Sequence, residues 1–218
     1  MKKNSVFNTS QWTLKKSKLA VLLPVRDTMH SATALCLTEL VKLNMMNNIE
    51  THVIMDASTV LLTQRERLAL EAKNVGAEYM LWIDSDMVFP STTALRLLAH
   101  NESVVAANYV RRQLPAKGVA YEAIGEWQNP LSFEPRDTLV PIAGIGMGCF
   151  MMKTSILDEL PRPWFDFEWT PEHNDWLGED MRLCQKITKA GYTIKVDTAL
   201  SNELRHLGTW AFGPDLLK

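Results

Sequence analysis

The sequence lacks long apolar runs and has few cysteines. No stretch approaches the ~18 consecutive apolar residues of a transmembrane helix, so we expect no membrane span. The basic start of the chain is followed by no apolar segment, so we expect no signal peptide. The three cysteines are far apart in apolar surroundings, which predicts reduced thiols and a cytoplasmic protein; they are Cys36, Cys149 and Cys184.

An excess of charge of one sign is also missing. The net charge is −2 and the isoelectric point is about 6.2, which argues against a nucleic-acid groove that works by bulk positive charge. Internal repeats and low-complexity tracts are absent too. With 218 residues, 46% of them hydrophobic, the chain is long enough for one globular domain with a sizeable core.

The first half of the sequence alternates short apolar runs with helix-forming stretches, and the second half adds further strands and a helix. The predicted strands are 18–24, 49–55, 79–83, 104–107, 149–152 and 193–196, and the predicted helices are 29–43, 62–74, 91–100 and 178–190. Asp27 or Thr28 is the expected cap of the first helix, and Ser91 that of the third. This βαβ order predicts an α/β domain with a mostly parallel sheet flanked by helices.

An apolar strand that ends in two carboxylates is the most informative stretch. Tyr79–Ile83 leads directly into Asp84-Ser85-Asp86. Two acids are costly to bury unless they are paired or bind a cation. At the carboxyl end of a strand, where open α/β sheets bind ligands, they could hold a divalent ion that shares its other positions with phosphate oxygens. We therefore predict a metal site for a diphosphate, with a turn and helix cap as the simpler alternative.

Two later clusters add to this pattern. Glu179-Asp180 opens a predicted helix, where the pair could simply complement the helix dipole. His206 lies two residues before Gly208. A lone histidine is more often a structural residue than a metal ligand. Together with the aspartate pair, and in this order after a βαβ half, the clusters fit one site.

The glycine-rich run Gly144-Ile145-Gly146-Met147-Gly148 does not predict a dinucleotide site. Cys149 stands where the third glycine of that fingerprint belongs, and a strand is predicted to follow. These glycines either let the backbone approach a donor sugar or shape a turn. The long aperiodic stretch 111–136 is typical of a lid or binding loop.

The ordered motifs resemble the nucleotide-sugar glycosyltransferases of the GT-A fold. The resemblance spans about residues 18–210, and it is nearest to family-2-like enzymes, including compact forms of phages and bacteria. The motifs that carry it are Leu22-Leu23-Pro24-Val25-Arg26, Arg65 with Arg67, Trp82-Ile83-Asp84-Ser85-Asp86, Gly178-Glu179-Asp180 and His206-Leu207-Gly208. It implies a single GT-A domain over 18–218 after a polar arm (1–17), divided into a nucleotide-binding half (18–110) and an acceptor half (111–218).

The resemblance also implies a role for each matching residue. Asp86 would bind Mn²⁺ or Mg²⁺ directly, Asp84 would bind the ribose or a metal-bound water, and His206 would complete the metal ligands. The nucleotide base and ribose would be held by Pro24, Arg26 and Asp56, and Arg65 would add a cation. The donor would be a nucleotide-diphosphate sugar, with a UDP-sugar as the first choice. Asp56-Ala57-Ser58 departs from the family's acidic-Gly-Ser segment, which leaves the base open.

The same resemblance implies that Asp180 is the base and that Glu179 orients the acceptor. A hydroxyl nucleophile needs a carboxylate within hydrogen-bond reach, and the helix dipole is expected to favour the ionised form of Asp180. This assignment assumes inversion at the anomeric carbon, and the sequence leaves retention open. The acceptor is expected to be a hydroxyl of a saccharide, a protein or a modified DNA base, and the enzyme would act in the cytoplasm, the host's if it is phage-encoded.

Three other functions fit parts of the pattern. A haloacid-dehalogenase-like phosphatase also uses an Asp-x-Asp after an apolar strand, although its motif normally lies near the start of the chain. A nucleotidyltransferase would need a glycine-rich loop where this chain has Arg26-Asp27-Thr28-Met29. A non-catalytic nucleotide-sugar binding module would keep Asp84 and Asp86 without needing Asp180.

Overall fold

The computed structural model describes residues 17–113, 115–124, 130–134, 136 and 138–208. The expected arm (1–17) lies almost wholly outside these ranges. The helices are α1 (Ser31–Met46), α2 (Leu61–Asn74), α3 (Thr93–Ala99), α4 (Glu179–Lys189) and α5 (Thr198–Ser201), with a 3-10 helix at Thr154–Asp158. The strands are β1 (Lys18–Val25), β2 (Glu50–Ala57), β3 (Tyr79–Ile83), β4 (Met87–Val88), β5 (Val104–Ala106), β6 (Ala120–Tyr121), β7 (Val140–Ile142), β8 (Gly144–Ile145), β9 (Cys149–Lys153), β10 (Glu168–Thr170), β11 (Asp175–Leu177), β12 (Ile194–Val196) and β13 (Arg205–His206).

A seven-stranded sheet in the order β2-β1-β3-β9-β5-β12-β7 organises the domain. β1 pairs in parallel with β2 and β3, and β12 pairs in parallel with β5. β9 runs antiparallel between β3 and β5, and β7 runs antiparallel at the edge. β1, β2, β3, β5 and β12 therefore point the same way, so their carboxyl ends meet at one edge. The expected α/β class with a mostly parallel sheet is confirmed.

The central strands are apolar throughout because both of their faces are covered. Leu19 to Leu23 in β1 and Met80 to Ile83 in β3 are fully buried. β9 adds a third buried run, from Cys149 to Met152, against β3. A strand covered on both faces has no solvent side that would call for polar residues, which explains the continuous apolar runs.

The helix starts differ from the predictions. α1 begins after His30 and α3 after Thr92, and neither of these residues makes a side-chain cap hydrogen bond. Asp27, Thr28 and Ser91 are therefore not the caps. The predicted helix ends are closer, because Gly76 and Gly191 follow α2 and α4 with φ of +69° and +90°. Glycine adopts this left-handed conformation without the steric cost that a Cβ brings.

The irregular segment before α4 contains a hairpin that the sequence did not predict. β10 and β11 pair antiparallel around the turn 171–174, in which Asn174 has a φ of +49°. Over the described ranges, no helix combines the length and the apolar character that a membrane crossing requires.

Candidate active site

The predicted aspartates lie at the carboxyl edge of the sheet, in the turn between β3 and the short strand β4. Antiparallel pairing of β4 with β13 aligns Met87 with His206 and so brings the end of the described chain back to this turn. Leu207 N donates to Asp86 O at 2.8 Å, which holds the two segments together. Two residues far apart in sequence, Asp86 and His206, thus become neighbours through backbone pairing.

Asp86 lies between two cationic side chains. His206 Nε2 lies 3.4 Å from Asp86 Oδ1, and Arg112 Nη1 lies 2.9 Å from Asp86 Oδ2. Burial favours the neutral acid, but the hydrogen bond and charge of His206 and the charge of Arg112 outweigh it, so the pKa of Asp86 is lowered. Asp86 is therefore ionised at neutral pH.

Asp84 has the opposite electrostatic environment. Burial raises the pKa of its carboxyl, and the negative charges of Asp86 and Glu179 raise it further, while Arg65 opposes the shift. The guanidinium of Arg65 is its nearest cation, with Nη2 at 3.5 Å from Asp84 Oδ1. The two aspartates of the motif are thus unequal, and an added cation would favour the ionised form of Asp84.

Arg65 links this turn to the start of α4. Its Nε donates to Glu179 Oε1 at 3.2 Å, and both side chains are nearly buried. The Nη1 of Arg65 is buried without a hydrogen-bond acceptor among the described residues. Because one guanidinium contacts both Asp84 and Glu179, it fixes the position of the first predicted acidic cluster relative to the second.

Asp180 lies beside this link, and its electrostatics differ from the expectation. Burial raises the pKa of Asp180 to about 6, and the neighbouring charge of Glu179 adds to the shift. Its Oδ1 accepts from Met181 N at 2.7 Å, which opposes the shift only partly. The helix dipole was expected to favour the ionised form of Asp180, but desolvation and the adjacent carboxylate dominate its pKa.

A pocket of about 310 Å³ joins most of the predicted donor-site residues. They are Pro24, Arg26, Arg65, Asp84, Asp86 and His206, together with Arg112. Asp56 does not line it; its carboxylate forms a two-point ion pair with Arg67, at 2.5 and 2.7 Å. The backbone oxygen of Asp56 instead accepts from Gln64 Nε2, which also binds Val25 O and so joins the ends of β1 and β2.

Tyr109 was not predicted from the sequence as part of the site. Its ring explains why two nearby positions, Gly146 and Gly148, must be glycine. A Cβ on Gly146 would lie 2.5 Å from the Tyr109 hydroxyl, and one on Gly148 would lie 2.7 Å from Tyr109 Cζ. Gly148 N donates to that hydroxyl at 3.0 Å, and the Tyr109 ring meets the His206 ring edge-on at 5.3 Å between centroids. These glycines make room for a tyrosine that supports the imidazole. The only sequence signal was the position of Tyr109 just after a strand that ends at the same edge.

The side chains around Asp86 offer only a few ligands for the expected divalent ion. Among the described residues, no group of three or more His, Cys, Asp and Glu side chains forms a metal cage. His206 Nδ1 faces Val110 O at 3.0 Å and so carries a proton, which leaves Nε2 turned toward Asp86. A carbonyl on Nδ1 is the usual way to fix the tautomer of a metal-binding histidine. The residues fit an ion shared with substrate phosphates, which needs only one or two carboxylates.

Comparisons with known proteins support the fold. No family model and no curated protein matches the sequence. Protein A197 from STIV is similar in structure, with a TM-score of 0.52 and 14% identity over 90% of this chain and 97% of that chain. This likeness shows the fold alone, which is the α/β domain with a mostly parallel sheet described above.

Two further solved structures are less similar. One is a mutant Drosophila β1,4-galactosyltransferase 7 in complex with manganese, UDP-Gal and xylobiose, with a TM-score of 0.48 and 12% identity over 92% of this chain and 79% of that chain. The other is a glycosyltransferase involved in glycosylation of the major capsid of PBCV-1, with a TM-score of 0.47 and 13% identity over 88% and 94%. At these scores neither likeness carries an argument about the function of this chain.

Replacing Arg65 by Met is expected to lower the free energy of unfolding by about 3 kcal/mol, because the nearly buried Glu179 carboxylate loses its partner. At this chain length, that loss corresponds to a fall in melting temperature of roughly 6–12 °C. Arg67→Met, on the same helix, removes only the more exposed pair with Asp56 and should cost under about 1 kcal/mol. Thermal unfolding measures both variants, and equal losses would contradict the structural link assigned to Arg65.

Proposed function

We propose that this protein is a glycosyltransferase that moves a sugar from a nucleotide-diphosphate sugar to a hydroxyl acceptor. One observation supports this most directly. The buried Arg65 joins the Asp-x-Asp turn to Glu179, and the next residue, Asp180, has a pKa raised to about 6. The aspartates of the turn could bind the cation of a diphosphate, and the carboxyl of Asp180 could act as the base. A general base works best with a pKa near the working pH.

The donor would lie in the pocket beside Asp86. Arg26 and Pro24 are proposed to hold the nucleoside, with Arg26 largely exposed and so able to move. Asp56 would contact the nucleoside only after releasing Arg67. Arg65 and Arg112 place positive charge beside the aspartates, where diphosphate oxygens would bind. A divalent ion held by Asp86 and His206, with Asp84 nearby, would offset the charge of the departing diphosphate.

The residues at the start of α4 would then move the proton. Ionised Asp180 accepts the proton of the acceptor hydroxyl, and the hydroxyl oxygen forms a bond to the anomeric carbon. The bond from that carbon to the diphosphate oxygen breaks, and the nucleoside diphosphate leaves with the electron pair. Glu179 is held by Arg65 and so presents a fixed carboxylate next to the base. This sequence of events gives inversion at the anomeric carbon.

The experiment is a panel of nucleotide sugars, each tested with and without Mn²⁺, read by thermal stabilisation and by hydrolysis of the sugar–phosphate bond. Binding raises the melting temperature by mass action, so the correct donor should give the largest metal-dependent rise. The panel should include donors with different bases, since the base is open. Stabilisation without hydrolysis or transfer would support a binding module, and no response to any donor would contradict the proposal.

His206→Ala is expected to raise the Mn²⁺ concentration needed for donor-induced stabilisation by about tenfold or more, because one ligand is lost. The fold should lose only about 1 kcal/mol, the worth of the hydrogen bond to Val110 O. His52→Ala is a control, because His52 lies on β2 and pairs only with Glu50 among the described residues. A titration of Mn²⁺ at fixed donor concentration measures the effect. Unfolding of the His206 variant would instead favour a structural role.

A further inference from the structure

The hairpin before α4 exposes two aromatic side chains at its centre. Trp169 in β10 and Trp176 in β11 are directly paired across the strands, and their rings meet edge-on at 5.4 Å between centroids. Trp169 is 43% exposed and Trp176 is 61% exposed. Leaving so much aromatic surface in water forgoes the free energy that its burial would contribute.

One face of this hairpin packs on the domain, and the face that carries the two tryptophans does not. Leu177 is buried in a small cluster with Tyr121 and Met181. Glu168 forms an ion pair with Arg182 of α4. These contacts hold the hairpin on the domain through residues that alternate with the tryptophans. The tryptophan pair therefore faces outward on a support that is fixed from behind.

Trp176 also lines a second pocket, of about 370 Å³, that contains the proposed base. Asp180, Asp175, Arg111 and Gly178 line the same pocket. A Cβ on Gly178 would lie 2.9 Å from Asp180 Oδ1, so only glycine leaves the carboxylate its present position. The aromatic surface thus runs from the exposed hairpin to the group that would accept the proton.

We propose that the hairpin is the acceptor platform and that the acceptor is a neutral oligosaccharide. This inference rests on the proposed function. The sugar that reacts would lie against Trp176, with its hydroxyl on Asp180, and the next sugar would lie against Trp169. The hydroxyl proton passes to Asp180 as the oxygen bonds to the donor's anomeric carbon, and the nucleoside diphosphate leaves with the electron pair.

The chemistry of the surface favours a sugar over the other hydroxyl acceptors. The flat face of an aromatic ring covers the C–H face of a pyranose, and carboxylates accept hydrogen bonds from its hydroxyl groups. A protein partner would bury the tryptophans in a mainly apolar contact, whereas here Trp176 shares a pocket with the carboxylates of Asp175 and Asp180. Mixed aromatic and carboxylate surfaces suit a ligand that has both kinds of face.

The charge of the hairpin favours a neutral acceptor over an anionic one. From Asp166 to Leu177 the sequence has four acidic residues and no lysine or arginine; Asp166 and Glu168 pair with Arg182 of α4, and Glu172 and Asp175 give the hairpin its negative charge. Arg111, the arginine that lines this pocket, donates from Nη2 to the Tyr121 hydroxyl at 2.6 Å, and this contact holds its guanidinium over the Tyr121 ring. The phosphates of modified DNA or of a lipid-linked acceptor would bring negative charge to an acidic hairpin, and neutral sugars would not.

The test compares transfer with hydrolysis in Trp176→Ala, Trp169→Ala and Trp176→Phe, using the donor found by the nucleotide-sugar panel. The acceptor probes are neutral di- and trisaccharide methyl glycosides, with an oligonucleotide that carries hydroxymethylcytosine as the anionic probe. Donor-induced stabilisation is measured in every variant, because it reports the Asp86 pocket and confirms that the variant is folded. Met46→Ala, a large exposed apolar residue on α1, is the control.

We expect transfer to at least one neutral glycoside, with the transfer-to-hydrolysis ratio about tenfold lower in Trp176→Ala, reduced less in Trp169→Ala, and largely restored in Trp176→Phe. The control should keep the wild-type ratio. A donor that binds and is hydrolysed, with an unchanged ratio in both alanine variants, would overturn the platform. Transfer to the oligonucleotide alone would overturn the neutral acceptor. Failure of every donor to bind to or react with the wild-type protein would instead refute the proposed function.

Discussion

Replacing Asp180 by Asn is expected to lower turnover by about 10³-fold and to raise the melting temperature. General-base catalysis contributes roughly 10²–10⁴-fold, and an amide cannot accept the proton of the acceptor hydroxyl. The stability effect has the opposite sign because the pKa of Asp180 is raised from 3.8 to about 6. The native state therefore holds this proton more tightly than the unfolded chain, and ionisation above pH 6 costs stability. Asn removes that cost, which is about 3 kcal/mol at pH 8.

The pH dependence separates this role from a structural one. Wild-type turnover should fall as the pH drops through about 6, because the base becomes protonated. The stabilisation of Asp180→Asn should be largest above pH 6 and should vanish below the ordinary value of 3.8. Thermal unfolding of both proteins from pH 4 to 8 measures this difference. A variant that is less stable than the wild type at pH 8 would show that Asp180 mainly caps α4.

Asp197 provides the matched contrast. It too lies at the start of a helix, as the residue before α5, and its Oδ1 accepts from Leu200 N at 2.7 Å. Burial favours its neutral form, but the hydrogen bonds from His100 and Leu200 N and the charge of Arg96 outweigh it, so the pKa of Asp197 is lowered. Its charge therefore stabilises the fold above its ordinary pKa, and this contribution is lost as the pH falls. Asp197→Asn should destabilise the protein at pH 8, the reverse of Asp180→Asn.

The parts of the fold that could be predicted are those with a strong local signal. β1 and β3 are continuous apolar runs, and α2 is rich in helix formers and ends before Gly76, so their positions were found within a residue or two. The N-terminal caps failed because the choice among neighbouring polar residues depends on how the helix packs. The hairpin β10–β11 failed because its alternation covers only three residues a strand and is interrupted by the turn 171–174.

The site shows the same division between local and long-range information. The motif residues Asp84, Asp86 and His206 were found from sequence, although their roles remain predictions. The partners that set their chemistry were not: Arg112 on Asp86, and Tyr109 beside His206. These contacts depend on the strand order, because β5 ends at the same edge as β3 and carries the segment 107–112 to the aspartates. Spacing along the chain carries no information about that arrangement.

Replacing Asp86 by Ala is expected to abolish metal-dependent donor binding and to lower kcat/KM by at least about 10³-fold. The pKa of Asp86 is lowered and that of Asp84 is raised, so the neighbouring Asp84 carboxylate is the weaker source of negative charge for the cation. The variant also leaves Arg112 without its anion, and its positive charge would then repel a divalent ion. The measurement is a calorimetric titration with donor, with and without Mn²⁺.

Asp158→Ala is the control for the loss of an aspartate, because Asp158 is exposed and pairs with Lys73 away from this pocket. It should keep the wild-type affinity for donor and the same dependence on Mn²⁺. The fold of Asp86→Ala is checked by its melting temperature, since loss of partly buried ion pairs lowers stability without unfolding a chain of this size. A folded Asp86→Ala variant with normal affinity for the donor would contradict the assignment, because the cation would then have to be held by other residues.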